Sequence, residues 1–177
     1  MTIERTSGRS TKITTDVGLT VSYNGVYNVY VKVYGRHWNQ TAGLCGTFNG
    51  DGNDDLLSRN NTYTSSVLEF GNSWKTRESC PDAPPSIHPC ERYPENSDLA
   101  KQNCSLLKAY PFNQCNVSVD PDNGHIENCE FDVCGCTNNP VACLCEAYAA
   151  YAEECSTYGI TIEWSSRSEF QQCGMSE

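Results

Sequence analysis

Two groups of side chains in this 177-residue sequence could do chemistry: its cysteines and one acidic loop. Ten of the twelve cysteines fall between Cys90 and Cys173, and Cys129, Cys134, Cys136, Cys143 and Cys145 crowd into one short run. As thiolates, the pairs Cys134-Gly135-Cys136 and Cys143-Leu144-Cys145 could bind zinc, but structural zinc sites space their cysteines as C-x₂₋₄-C. A cysteine density this high is the mark of a disulfide scaffold. Disulfides persist in oxidising compartments, which places the chain outside the cell. Structural bonding is therefore the expected role of Cys90, Cys104, Cys115, Cys129, Cys134, Cys136, Cys145, Cys155 and Cys173.

The second group is Asn49-Gly50-Asp51-Gly52-Asn53-Asp54-Asp55. Side-chain oxygens stand at every second position with glycines between, so the chain can curl around one ion. Ca²⁺ takes six to eight oxygen ligands from such flexible loops. Asn49, Asp51, Asn53, Asp54 and Asp55 are the candidate ligands, and water or another segment has to complete the shell. The competing reading is a polar turn in which Asn and Asp cap their own backbone. The string is like the first half of an EF-hand loop, but it lacks the distal glutamate and the flanking helices.

Other chemistries find little support. The net charge of -10 and scattered Lys and Arg residues argue against nucleic acid, which needs a basic patch. No stretch has the roughly 18 apolar residues of a membrane helix. His37, His88 and His125 sit in no GxSxG or HExxH context, so no enzyme is expected. Four sequons, at Asn39, Asn60, Asn103 and Asn116, favour a glycoprotein. Met1-Thr2-Ile3-Glu4-Arg5 is not a secretory signal. The chain is then a piece of a longer secreted protein, or its gene model is incomplete.

The elements that must position these groups divide near residues 81–94. The run from Cys80 to Cys90 is proline-rich, reads as a stiff linker and is expected to hold neither helix nor central strand. Before it the pattern is β: a strand over 11–15, a turn at Asp16-Val17-Gly18, a strand over 19–23, a two-residue turn at Asn24-Gly25, and a strand over 26–34. In the last strand Tyr27, Val29, Val31 and Val33 form the face expected to be covered. Three strands are too few for an independent domain. After the linker the pattern is helical. One helix runs from Asn96 or Ser97 to about Ala109, with Ala100, Cys104 and Leu107 on one stripe. A second starts near Gly124–Ile126, and a third covers about 141–158 and ends at Gly159. Residues 160–164 read as a short strand.

These residues also carry a family resemblance. Ala42-Gly43-Leu44-Cys45-Gly46-Thr47-Phe48-Asn49-Gly50-Asp51, Asn53-Asp54-Asp55 and Phe70-Gly71-Asn72-Ser73-Trp74-Lys75 resemble the C-terminal half of the von Willebrand factor type D domain. Asn103-Cys104-Ser105-Leu106-Leu107, Val119-Asp120-Pro121, the segment Cys129–Cys136 and the segment 142–152 resemble the C8 domain. Order and spacing agree from about Leu19 to Cys173.

The resemblance implies an α+β chain: a partial antiparallel β-sandwich followed by a small disulfide-rich helical module. Its parts are the type D half over 1–80, a linker over 81–95 and C8 over 96–177. It implies a calcium site on Asn49, Asp51, Asn53, Asp54 and Asp55, with one more acidic ligand from upstream strands that this chain lacks. Cys45 and Cys80 would pair with cysteines of that missing part. Here they are left free, pair with each other, or pair with a second chain. Cys143 lies where related multimers bridge chains, which makes it a third intermolecular candidate, with an internal bond as the alternative. The family commonly has a CxxC where this chain has Ala42-Gly43-Leu44-Cys45. Without a resolving thiol, a thiol–disulfide exchange role is disfavoured.

The expected function is a non-enzymatic assembly, matrix or adhesion module of a secreted, calcium-binding glycoprotein of the mucin or von Willebrand factor type. Its partners would be extracellular proteins, itself included through disulfides. The alternative is an extracellular module that captures a growth factor or a lipid-associated partner.

Overall fold

The computed structural model describes residues 1–5, 10–25, 28–85 and 87–173. The chain forms two compact units, Met1–Ser86 and Ile87–Glu177. An antiparallel sheet dominates the first and disulfide-linked helices the second, so the fold is mixed α+β.

The sheet has the sequential order β1-β2-β3-β4, with β1 Thr2–Arg5, β2 Thr11–Thr14, β3 Leu19–Tyr23 and β4 Val29–Val33. The second, third and fourth strands follow from alternation of apolar and polar residues. β1 is additional: Ile3 pairs with Ile13, Ile13 with Val21 and Val21 with Val31, which makes an apolar row across all four strands. Cross-strand pairs of this kind are the stabilising unit of a sheet. None of the described strand residues is buried, and Val29 and Val31 are 59% and 48% exposed. On the β4 face expected to be covered, Val29 and Val31 are therefore exposed and Val33 is half-buried.

Two turns frame the sheet. At Asp16-Val17-Gly18, Gly18 has φ +85°, and a Cβ there would lie 2.5 Å from the Tyr34 ring, so only glycine fits. The β3–β4 connection is wider than a two-residue turn. Tyr23 pairs with Val29, and the Asn28 N–H donates to Asn24 Oδ1 at 2.9 Å. The Asn24 carboxamide thus closes the loop across residues 24–28. Val26 and Tyr27, expected in the strand, lie outside the described residues.

The first unit also holds a helix that the β pattern did not announce, α1 Val67–Ser73. Ser66 caps it by accepting the Glu69 N–H at 3.2 Å. The spacing is that of a capping box, readable as Ser66-Val67-Leu68-Glu69. Phe70 turns inward and is 6% exposed, while Trp74 Nε1 donates to the Leu57 carbonyl at 3.2 Å.

The second unit begins within the proline-rich segment. α2 Pro89–Arg92 starts on a proline at its first turn, where the missing N–H has no partner to lose. The expectation of no helix in the run from Cys80 to Cys90 therefore fails at Pro89, and Ser86 of that run lies outside the described residues. α3 Ser97–Cys104 gives way to a 3₁₀ turn over Ser105–Lys108, so the first expected helix is shorter than its pattern. Ala100, Cys104 and Leu107 are nonetheless all buried. α4 His125–Gly135 follows Gly124, and α5 Pro140–Thr157 is capped by Asn139 Oδ1, which accepts the Ala142 N–H at 3.2 Å.

Along α5, Leu144, Tyr148, Tyr151 and Cys155 recur at helical spacing and make one buried stripe. Phe112 stacks on Tyr148 with ring centroids 5.2 Å apart, and Phe170 and Trp164 meet it edge-on and tilted, at 5.5 and 5.9 Å. The buried hydroxyls are satisfied: Tyr148 donates to the Asn103 carbonyl at 2.8 Å and Tyr151 to the Val119 carbonyl at 2.7 Å. Residues 160–164 are not a strand. Ile162 and Trp164 instead pack onto the core, so burial and not β pairing fixes that segment.

Candidate metal loop and cysteine framework

Residues 45–55 bring the acidic loop back onto Thr47. The Thr47 N–H donates to Asp55 Oδ1 at 2.9 Å. Its hydroxyl lies 2.8 Å from Asp54 Oδ1 and 3.3 Å from Asp55 Oδ1. Asn49 Nδ2 donates to Asp54 Oδ2 at 2.6 Å, and Asn49 Oδ1 accepts the Asp51 N–H at 2.8 Å. Asp51 Oδ1 accepts both the backbone N–H and the side-chain amide of Asn53, at 3.0 and 2.7 Å. The backbone bond first, and the amide second, hold the Asp51 carboxyl below its ordinary range.

Gly46 permits this closure. It has φ +76°, and a Cβ there would sit 2.2 Å from Asp55 Oδ1. On the other side Trp38 packs edge-on against Phe48, with centroids 5.5 Å apart, and lies close over Gly50. Thr47 and Gly46 shape the loop although neither is among the five candidate ligands. Both stand inside the motif that carries the acidic string.

The donor set fits calcium in kind, because all five candidate side chains offer hard oxygens. Asp54 and Asp55 converge on one threonine. Asp51 is oriented by Asn53, one residue before them. Among the described residues no three His, Cys, Asp or Glu side chains gather closely enough to hold a metal by themselves. The two amides, backbone carbonyls or water would have to share in any site.

The cysteines divide sharply. Cys90 bonds Cys134, Cys104 bonds Cys129, Cys115 bonds Cys155, Cys136 bonds Cys143 and Cys145 bonds Cys173. The first two tie α2 and α3 to α4, and the other three reach α5 from outside it. Cys143, a candidate for bridging chains, is thus held internally by Cys136, seven positions away. The nine cysteines expected to be structural occupy the remaining places. With all four sulfurs of the CxC pairs in disulfides, none is a thiolate for zinc. Cys45 and Cys80 remain exposed free thiols, not joined to each other.

The sequons differ in setting. Asn39 and Asn60 are exposed in turns of the first unit, whereas Asn103 lies on α3 and Asn116 beside Tyr151. No helix among the described residues is long and apolar enough to cross a membrane.

Comparison with known proteins agrees with this division. Residues 1–62 match the von Willebrand factor type D domain, and residues 103–174 match the C8 domain. The type D match starts at the first residue, ahead of the resemblance traced from Leu19, and ends before the Phe70–Lys75 motif. Mucin-2 of Homo sapiens is 34% identical over 161 residues, which is 90% of this chain and 3% of that protein. SCO-spondin of Gallus gallus is 38% identical over 154 residues, 85% of this chain and 3% of that protein. Von Willebrand factor of Bos taurus is 33% identical over 184 residues, 97% of this chain and 19% of that protein. The chain therefore spans only a small part of the length of these relatives. It belongs with the proteins that join von Willebrand factor type D sequence to a C8 domain.

Proposed function

We propose that this chain is a non-enzymatic assembly module of a secreted, calcium-binding, multidomain glycoprotein that works in mucus, matrix or adhesion. One observation carries the reading. Ten cysteines close into five bonds inside the second unit, while Cys45 and Cys80 stay exposed outside them. A chain so fully oxidised is suited to an extracellular compartment, where two exposed thiols are available to bond a second chain. The similarity to mucins and to von Willebrand factor supports the same reading.

Asn49, Asp51, Asn53, Asp54 and Asp55 would hold Ca²⁺, which would supply the positive charge that lets these carboxylates crowd together. Thr47 holds Asp54 and Asp55 on one side, and Asn53 orients Asp51. Ala42 leaves Cys45 without a resolving thiol two residues away, so a bond made by Cys45 would persist.

The test is a non-reducing gel of the secreted, alkylated chain. Disulfide-linked dimers or larger species are expected, and Cys45→Ser and Cys80→Ser should each remove linked species. A wild-type chain that stays monomeric, with both thiols alkylated, contradicts assembly. Calcium is tested on the same material. It should raise the thermal midpoint of the wild type but not of an Asp51→Asn/Asp54→Asn variant, and an equal rise in both would dismiss the loop as its site.

A further inference from the structure

We propose that Asn123 is a site of spontaneous deamidation, and that its conversion to isoaspartate loosens the first turn of α4. The reaction needs only water, so it is independent of the function proposed above. The Gly124 nitrogen loses its proton and attacks Asn123 Cγ. The Cγ–Nδ2 bond breaks, and Nδ2 leaves as ammonia with that proton, which closes a succinimide ring. Water then opens the ring, and the Gly124 nitrogen regains a proton. Attack at Cγ yields aspartate. Attack at the main-chain carbonyl carbon yields isoaspartate, whose main chain runs through the former side chain. A following glycine favours the first step, because no Cβ shields the attacking nitrogen.

Three Asn-Gly pairs occur, at Asn24, Asn49 and Asn123, and the fold treats them differently. To react, the side chain has to bring Cγ onto the following nitrogen, so contacts that fix the carboxamide oppose the step. Asn24 is half-buried, its Oδ1 accepts the Asn28 N–H at 2.9 Å, and its own N–H donates to the Asn28 carbonyl at 3.1 Å. Asn49 is half-buried and held at both ends, Oδ1 by the Asp51 N–H at 2.8 Å and Nδ2 by Asp54 Oδ2 at 2.6 Å. Loss of Nδ2 there would also strip Asp54 of a donor.

Asn123 is the reverse case. It is exposed, and neither its carboxamide nor the Gly124 N–H makes a hydrogen bond among the described residues. The turn around it carries the start of α4. The Ile126 N–H donates to the Pro121 carbonyl at 3.0 Å, and the Asn128 N–H to the Gly124 carbonyl at 2.8 Å. Isoaspartate at 123 inserts one extra main-chain carbon between Pro121 and Ile126, so that closing bond no longer spans the same path. Ile126 packs against the core, and His125 Nε2 lies 3.6 Å from Glu154 of α5, so both contacts stand on this turn. Further along α4, the Cys104–Cys129 bond pins the helix and ends the loosening.

The experiment ages the full disulfide-bonded chain, with Cys45 and Cys80 alkylated, in H₂¹⁸O at mildly alkaline pH. Peptide mass spectrometry follows ¹⁸O at the three asparagines, and isoaspartyl methyltransferase labelling identifies isoaspartate. Asn123 is expected to convert first, several-fold ahead of Asn24 and Asn49. In the reduced, denatured chain the three should convert at similar rates. Asn24 or Asn49 leading or keeping pace in the folded chain overturns the site, and an equal lead of Asn123 in the denatured chain overturns the role of the fold. Converted protein should also show faster amide exchange over residues 126–128 than an equally aged Asn123→Gln variant. Equal exchange in the two overturns the loosening of α4.

Discussion

The two units solve the problem of stability in opposite ways. The second has five disulfides and a contiguous core of fifteen buried residues around Phe112, Tyr148 and Tyr151. The first has no disulfide among its described residues, and only Phe70 among its described apolar side chains reaches core burial. Their charges differ as well. Residues 1–86 carry eight Lys or Arg against eight Asp or Glu, and residues 87–177 carry four against fourteen, so the whole net charge of -10 belongs to the second unit. Self-repulsion on that scale opposes compactness. The bridges offset it by restricting the unfolded chain. The free thiols and the acidic loop thus both lie in the unit that is not locked.

The contrast can be broken from its strongest side first. Phe112→Ala removes the ring on which Tyr148, Trp164 and Phe170 pack, and should cost about 3–5 kcal/mol, read as a fall in the denaturant midpoint of the second unit. Bridge removal should then scale with loop length. On the chain-entropy account, opening Cys90–Cys134, 44 residues apart, costs about 4 kcal/mol, and opening Cys136–Cys143, 7 apart, about 2.4 kcal/mol. Equal losses from the two double-alanine variants would place the stabilisation in local contacts instead. In the first unit Ser66→Ala deletes the α1 cap. It should cost about 1 kcal/mol, detectable as faster amide exchange over 67–73 with no change in the second unit.

The pH response should separate the units at opposite ends of the scale. Burial, then the charges of Asp120 and Glu154, push the Tyr151 hydroxyl up to about 12. A raised pKa gives stability that is complete below the ordinary tyrosine value and is lost as pH rises through the folded one. The second unit should therefore loosen between about pH 10 and pH 12, and Tyr151→Phe should blunt that response. Asp51 has the opposite sign. Its lowered pKa favours the closed loop above the ordinary carboxylate value, and the contribution fades as pH falls through the folded one. Acid titration followed by NMR of the loop amides, with Asp51→Asn as control, checks this smaller effect.

Much of this arrangement was legible in the residues. Alternation announced β3 and β4, and the stripe of Ala100, Cys104 and Leu107 announced the packed face of α3 and the 3₁₀ turn after it. Where reading fell short, a local signal was outweighed by a longer-range one. Thr2–Arg5 is too short to show a pattern and becomes β1 only by pairing with β2. The β-branched residues near Ile160 look like a strand, yet an aromatic cluster gathered from distant positions claims Ile162 and Trp164. Pro89 has the character of a helix breaker, yet its place at the first turn of α2 makes it a helix starter. The Ser66–Glu69 spacing carries the α1 cap within a stretch whose pattern is otherwise β. In the acidic loop the five oxygens were evident from spacing. The role of Thr47 was not, because its bonds to Asp54 and Asp55 span seven and eight residues.

The most direct test of the account is non-reducing peptide mapping of the secreted chain after alkylation. Five bonds confined to the second unit are expected, with Cys136 joined to Cys143 and with Cys45 and Cys80 in peptides linked to a second chain. A Cys45–Cys80 bond within one chain, or Cys143 linked to a second chain, would contradict this pattern.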